Sequence, residues 1–141
     1  MSAPRLFALA LLCAAPAAAQ PAPSLAGAWT FETTPATARH CVIAGEAVVT
    51  ATPARGAYDV QLRALETCGD GARWESVQSC RAAQRERAVR IDCTLVQATP
   101  SNYAADDFVL ELKAPGLMEG VLTSTWDAPA RWRRAGADHI S

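Results

Sequence analysis

The chain has 141 residues, enough for one domain and too few for two. Half are hydrophobic, but 31 are Ala and five Cys, which leaves 35 large apolar side chains (Val, Ile, Leu, Met, Phe, Trp, Tyr). With 19% charged residues and a formal net charge of −1, composition gives no case for nucleic acid, an acidic membrane surface or a disordered chain.

Residues 1–19 read as a secretory signal peptide. Arg5 precedes an apolar run from Leu6 to Ala15, and Ala17 and Ala19 are the small residues a signal peptidase reads. The run is too short and too Ala-rich for a membrane span, and no later stretch reaches 18 apolar residues. Cys13 follows Leu12, where a lipobox carries Gly, Ala or Ser. Twelve Arg against one Lys, with the Ala-rich leader, point to a GC-rich bacterium and a periplasmic or secreted product beginning at Gln20. Without the leader, 122 residues remain, with 12 basic and 14 acidic side chains and four cysteines. The expected organisation is a leader (1–19), an N-terminal arm (20–26), a β-domain (27–135) and a tail (136–141).

After residue 20 the dominant pattern is period-two alternation, punctuated about every ten residues by Gly, Pro or Asp. Tyr58, Val60, Leu62 and Ala64 alternate with Asp59, Gln61 and Arg63; Val89, Ile91, Cys93 and Leu95 alternate with Arg90, Asp92 and Thr94. Eight strands are predicted, over 27–33, 44–52, 57–66, 73–82, 88–97, 106–113, 117–126 and 129–135. Short hairpin connections join nearly all of them, so the expected fold is all-β: an eight-stranded antiparallel up-and-down barrel, which leaves no open edge. A two-sheet sandwich satisfies the same turn spacing.

Cys41, Cys68, Cys80 and Cys93 are an even set for an oxidising compartment, with three possible pairings. Their separations of 27, 12 and 13 contain no Cys-x-x-Cys pair for zinc, and no metal is expected. A four-residue turn at Pro53–Gly56 makes opposed residues of strands two and three sum to about 109, as Cys41 and Cys68 do. A turn about Glu86–Arg87 makes opposed residues sum to about 173, as Cys80 and Cys93 do. The predicted bridges are therefore Cys41–Cys68 and Cys80–Cys93.

Gly27-Ala-Trp29 on the first strand and Arg133-Arg134 on the last are similar to the lipocalin–avidin (calycin) pattern. That resemblance implies a barrel whose closed end is plugged by Trp29, with Arg133 or Arg134 packed across its ring. Leu25-Ala-Gly-Ala-Trp29 followed by His40-Cys41-Val-Ile43 also resembles the periplasmic inhibitors of serralysin-type metalloproteases. This second resemblance implies an eight-stranded barrel whose arm, here Gln20 to Ser24, enters a protease cleft. The whole chain looks like uncharacterised small secreted proteobacterial proteins as well.

Enzyme motifs are absent: there is no Gly-x-Ser-x-Gly, no His-Glu-x-x-His and no phosphate-binding glycine loop. His139 lies in the tail and His40 reads as a solvated loop residue. Asp106 and Asp107 are adjacent, so they face opposite ways on a strand and read as punctuation of its start. Asn102 and Tyr103 read as a turn with a packed ring, with the lining of a barrel mouth as the alternative. Arg81, Arg85, Arg87 and Arg90 surround one hairpin tip and read as a solubilising charge cluster. An inward set runs through Ala47, Val49, Ala51, Tyr58, Val60, Leu62, Ala64, Val89, Ile91, Leu95, Phe108, Leu110 and Leu112, and the second bridge turns Trp74, Ser76 and Gln78 inward too. Tyr58, Val60, Leu62, Trp74, Ser76, Gln78, Phe108 and Leu110 are the candidate ligand-contacting residues. The expected function is a monomeric, lipocalin-like carrier of a small hydrophobic ligand, with no enzymatic activity and no cofactor. The alternatives are a protein-binding module such as an inhibitor of a periplasmic protease, or an envelope protein with no small ligand.

Overall fold

The computed structural model describes residues 2–4, 12–13, 22–35, 38–124 and 127–136. The remainder of the expected leader and the tail beyond 136 lie outside the described residues, as do Trp126 and His139. Eight strands follow one another: β1 (Gly27–Thr33), β2 (Val42–Ala51), β3 (Ala57–Thr67), β4 (Arg73–Arg85), β5 (Ala88–Thr99), β6 (Phe108–Ala114), β7 (Leu117–Leu122) and β8 (Ala128–Arg134). Each pairs antiparallel with the next, and β8 closes onto β1 from Trp29↔Arg134 to Thr33↔Ala130. Closure settles the choice between barrel and sandwich. Among the described residues no helix is long and apolar enough to cross a membrane.

The turn chemistry sets the register. Gly56, at φ 76°, ends the β2–β3 turn, and Thr52 donates its amide to the Ala57 carbonyl at 3.2 Å. The last β2–β3 pairs are Ala51↔Tyr58 and, at the far end, Val42↔Thr67. One step further out, Cys41 and Cys68 are bridged. Glu86, at φ 57°, turns β4 into β5, and Cys80 opposes Cys93 in the resulting ladder and is bonded to it. Both bridges are those the register arithmetic predicts.

The alternation becomes a lumen. Val60, Leu62, Val89, Ile91, Phe108, Leu110, Leu112, Met118, Leu122 and Trp132 are all buried in one apolar cluster. At its centre Phe31 stacks on Trp132 at 4.8 Å, and Phe108 meets both rings edge-on at 5.5 and 5.2 Å. Gly45 makes room for this: a Cβ there would stand 2.0 Å from the Arg63 carbonyl oxygen and 2.8 Å from the Phe31 ring.

The structure departs from the expected strands at their ends. Strand β6 begins at Phe108 rather than 106, because the amide of Asp106 is taken by the Gln78 side chain at 2.8 Å. Strand β7 stops at Leu122, which opposes Phe108, since β6 offers no earlier partner. Strand β5 pairs with β6 only from Ala88 to Ile91, so it outruns the barrel wall. Val96 is an extra residue in the β4–β5 ladder, between Leu95 and Gln97, and is 64% exposed. Leu95 and Trp74, expected inside, are therefore only half-buried, and Ala51 is exposed at a strand end.

Candidate functional site

The two ends of the barrel are built differently. At one, the segment from Pro23 to Ala26 folds across the opening and Leu25 is buried as a plug. Trp29 is wholly buried and donates its indole N–H to the Leu25 carbonyl at 2.8 Å. The Leu25 amide donates to the Tyr58 hydroxyl at 3.3 Å, and that hydroxyl donates to Gln84 Oε1 at 2.9 Å. Gln84 Nε2 in turn donates to the Pro23 carbonyl at 2.9 Å. The Arg134 guanidinium lies 4.5 Å from the Trp29 ring centroid and donates to the carbonyls of Ser24, Ala26 and Pro115. Arg133, the other candidate, is exposed. Gly27 has φ 132°, a conformation side chains rarely adopt, and a Cβ there would meet Arg134 Nη1 at 2.8 Å. This end is sealed.

The opposite end is polar. Gln78 is fully buried, and its Nε2 donates to Asp106 Oδ2 at 2.6 Å and to Ser76 Oγ at 2.8 Å. Its Oε1 accepts the Asp106 amide, so Gln78 and Asp106 clasp each other. The Tyr103 hydroxyl donates to both Asp106 carboxylate oxygens, at 3.1 and 3.0 Å. Glu66, 6% exposed, has no hydrogen-bond or salt-bridge partner among the described residues. Its carboxylate and the sulfurs of Cys41 and Cys68 all lie within 4.8 Å of one another. Those sulfurs are bonded to each other and offer no thiolate to a metal. Trp74 donates its indole N–H to Asn102 Oδ1 at 3.3 Å, and the Arg39 guanidinium sits 5.6 Å from its ring centroid. Arg39 is also paired with Asp70 at 2.9 Å.

Burial governs the acid–base chemistry here. Desolvation pushes the Asp106 carboxyl up to about 6, against the hydrogen bonds from Gln78 and Tyr103, and the charge of Asp107 adds to the rise. Glu66 is raised by burial and by the Asp106 charge, and Arg39 opposes the rise. Burial and Asp106 also raise Tyr103. Asp70, by contrast, is lowered by the Ala72 amide and Arg39.

The eight candidate ligand-contacting residues divide between these regions. Tyr58 is tied into the sealed end; Val60, Leu62, Phe108 and Leu110 pack against one another in mid-barrel. Ser76 and Gln78 belong to the polar layer, with Trp74 at its rim. The structure adds Glu66, Asp106 and Tyr103. Glu66 shares the parity of Leu62 and Ala64, a signal that places it inside; Asp106 and Asp107 do face apart, with the latter accepting the Cys93 amide at 2.8 Å. Trp132 Nε1 is buried without a partner among the described residues. At the hairpin tip, Arg87 donates to the Leu112 carbonyl at 2.8 Å and Arg90 pairs with Asp92 at 3.2 Å. Three surface concavities, of about 840, 590 and 460 Å³, lie on the outer wall.

No protein-family model and no curated protein matches the chain. Solved structures do. A de novo designed fluorescence-activating β-barrel is 15% identical, with a TM-score of 0.50 over 77% of this chain and 92% of that one. A redesigned β-barrel, mFAP1, bound to DFHBI, is 15% identical, with a TM-score of 0.55 over 78% of this chain and 94% of that one. A second redesigned barrel, mFAP0, also bound to DFHBI, is 14% identical, with a TM-score of 0.54 over 78% of this chain and 98% of that one. At such identities the likeness is one of fold: a closed eight-stranded antiparallel barrel, here stapled by two disulfides.

Proposed function

We propose that the protein is a secreted or periplasmic, lipocalin-like carrier of a small molecule, and that the ligand is received at the polar end of the barrel. One observation carries this reading: polar side chains gather in a single layer, Ser76, Gln78 and Asp106 buried and Tyr103 half-buried, opposite a sealed end and above an apolar barrel. A few convergent polar groups at an apolar floor are the usual makeup of a small-molecule site. The buried Trp132 N–H adds an unsatisfied donor in the floor. Two disulfides accord with an oxidising compartment. Redesigned barrels of this topology are bound to DFHBI, which supports ligand binding as a use of the fold. The apolar part of the ligand meets Trp74 and Leu95 at the rim, since Val60, Leu62 and Phe108 are already packed together. A protease-inhibitor role rests on a free arm, and from Pro23 the arm is held by Gln84 and Arg134.

Titration with the environment-sensitive dye N-phenyl-1-naphthylamine tests this reading. The expected result is saturable 1:1 binding that Trp74→Ala weakens at least tenfold. Val48→Ala, on the outer wall where Val48 is 56% exposed, leaves it unchanged. Absence of saturable binding, or equal loss in both variants, removes the reading.

A further inference from the structure

The polar end holds a second carboxylate beside Asp106, that of Glu66. Glu66 is 6% exposed and has no hydrogen-bond or salt-bridge partner among the described residues; the fully enclosed unpartnered side-chain atoms among them are Ser124 Oγ and Trp132 Nε1, so the Glu66 carboxylate keeps a narrow opening to solvent. A largely buried carboxylate is costly to ionise unless a cation lies close to it. Asp106, in the same layer, has its oxygens occupied by Gln78 and Tyr103 and its charge felt at Glu66. The fold also places a cation beside this acid. Arg39, on the loop before Cys41, sets its guanidinium 5.6 Å from the centroid of the Trp74 ring and opposes the rise of the Glu66 carboxyl by its charge. The arginine is itself half exposed and is held by Asp70 rather than by Glu66. Glu66 and Trp74 oppose each other across the β3–β4 ladder, and an aromatic face beside a largely buried carboxylate is an arrangement that recognises a planar or alkylated cation.

We infer that the polar end selects a cationic ligand: Glu66 receives the guanidinium or ammonium head group of a small amphiphile against the Trp74 ring, and Arg39 occupies that aromatic face until the ligand displaces it. This rests on the carrier reading above and narrows it to one ligand class. An apolar tail lies along Leu95 and the exposed rim of β5, while the head group gives Glu66 a direct charge partner in place of Arg39, which Asp70 holds.

Isothermal titration calorimetry with three probes of one tail length tests the inference: hexylguanidinium, hexanol and hexanoate. Hexylguanidinium is expected to bind at least tenfold more tightly than hexanol, with hexanoate the weakest. Glu66→Gln should cost hexylguanidinium about tenfold and leave hexanol unchanged. Arg39→Ala should tighten hexylguanidinium about fivefold, because the competing internal cation is gone; this variant alters an exposed loop side chain and spares the core. Equal binding of hexanol and hexylguanidinium overturns the cation assignment and leaves the carrier reading standing. Unchanged or weaker hexylguanidinium binding in Arg39→Ala overturns the displacement. If none of the three probes binds, the carrier reading falls with the inference.

Discussion

Replacing Asp106 by Asn gives the most direct handle on the polar layer. Asp106 is 2% exposed, and its carboxylate accepts hydrogen bonds from Gln78 and Tyr103. Burial nevertheless raises its pKa to about 6, against about 3.9 for an aspartate in an unfolded chain. The native state therefore holds this proton more tightly than the unfolded state. Stability from this group is fully present below about pH 4, falls as the pH rises to about 6, and is level above that. Two units at about 1.4 kcal/mol each give a loss of about 3 kcal/mol across the window. Asn is a neutral near-isostere that keeps an acceptor for Gln78 and cannot ionise. Urea unfolding at half-unit steps from pH 4 to pH 7.5, followed by tryptophan fluorescence, measures the effect. Glu66 is raised as well and contributes with the same sign, so the readout is the difference between the two proteins at each pH. Asp106→Asn should gain about 3 kcal/mol relative to the wild type between pH 4 and pH 7. Parallel stability curves would refute the assignment of a buried, desolvated carboxyl.

Three further perturbations probe the rest of the barrel. Arg134→Ala removes the guanidinium over Trp29 and its bonds to Ser24, Ala26 and Pro115, and should cost about 2 kcal/mol in urea unfolding and red-shift the Trp29 emission. Gly45→Ala drives a Cβ into the Arg63 carbonyl and the Phe31 ring and should destabilise by about 3 kcal/mol or abolish folding, read by circular dichroism. Replacing each cystine by a Ser pair should cost about 3 kcal/mol for Cys80–Cys93 and about 0.6 kcal/mol more for Cys41–Cys68, whose closed loop is twice as long; matched urea curves of the two variants check the order.

The fold was legible because alternation and turn chemistry are local. Val60 and Leu62 alternate with Asp59 and Gln61, and the turn at Gly56 is enough to bring Cys41 opposite Cys68. The polar layer was not legible, because period-two parity assigns a face of the wall and says nothing of what waits across the lumen. Glu66 has inward parity, but its burial depends on β3 running past Ala64 to Thr67 beside the Cys41–Cys68 bridge. Asp106 reads as strand punctuation until Gln78, 28 residues earlier, takes both its amide and its carboxylate. The arm was read from a resemblance as a projecting probe; from Pro23 it is instead held by Gln84, and the Leu25 amide meets the Tyr58 hydroxyl, long-range contacts that leave no mark in composition. Trp74 and Leu95 are half-buried for a topological reason, since β5 continues for eight residues past its last pairing with β6 at Ile91.

The central claim is that this barrel carries a small molecule at its polar end. Native mass spectrometry of the protein isolated from its own exporting cell tests it most directly. The account predicts a chain beginning at Gln20 with one small molecule retained in 1:1 ratio, released on gentle activation and missing from Trp74→Ala. A bare chain in every preparation, or a retained protein in place of a small molecule, would contradict it.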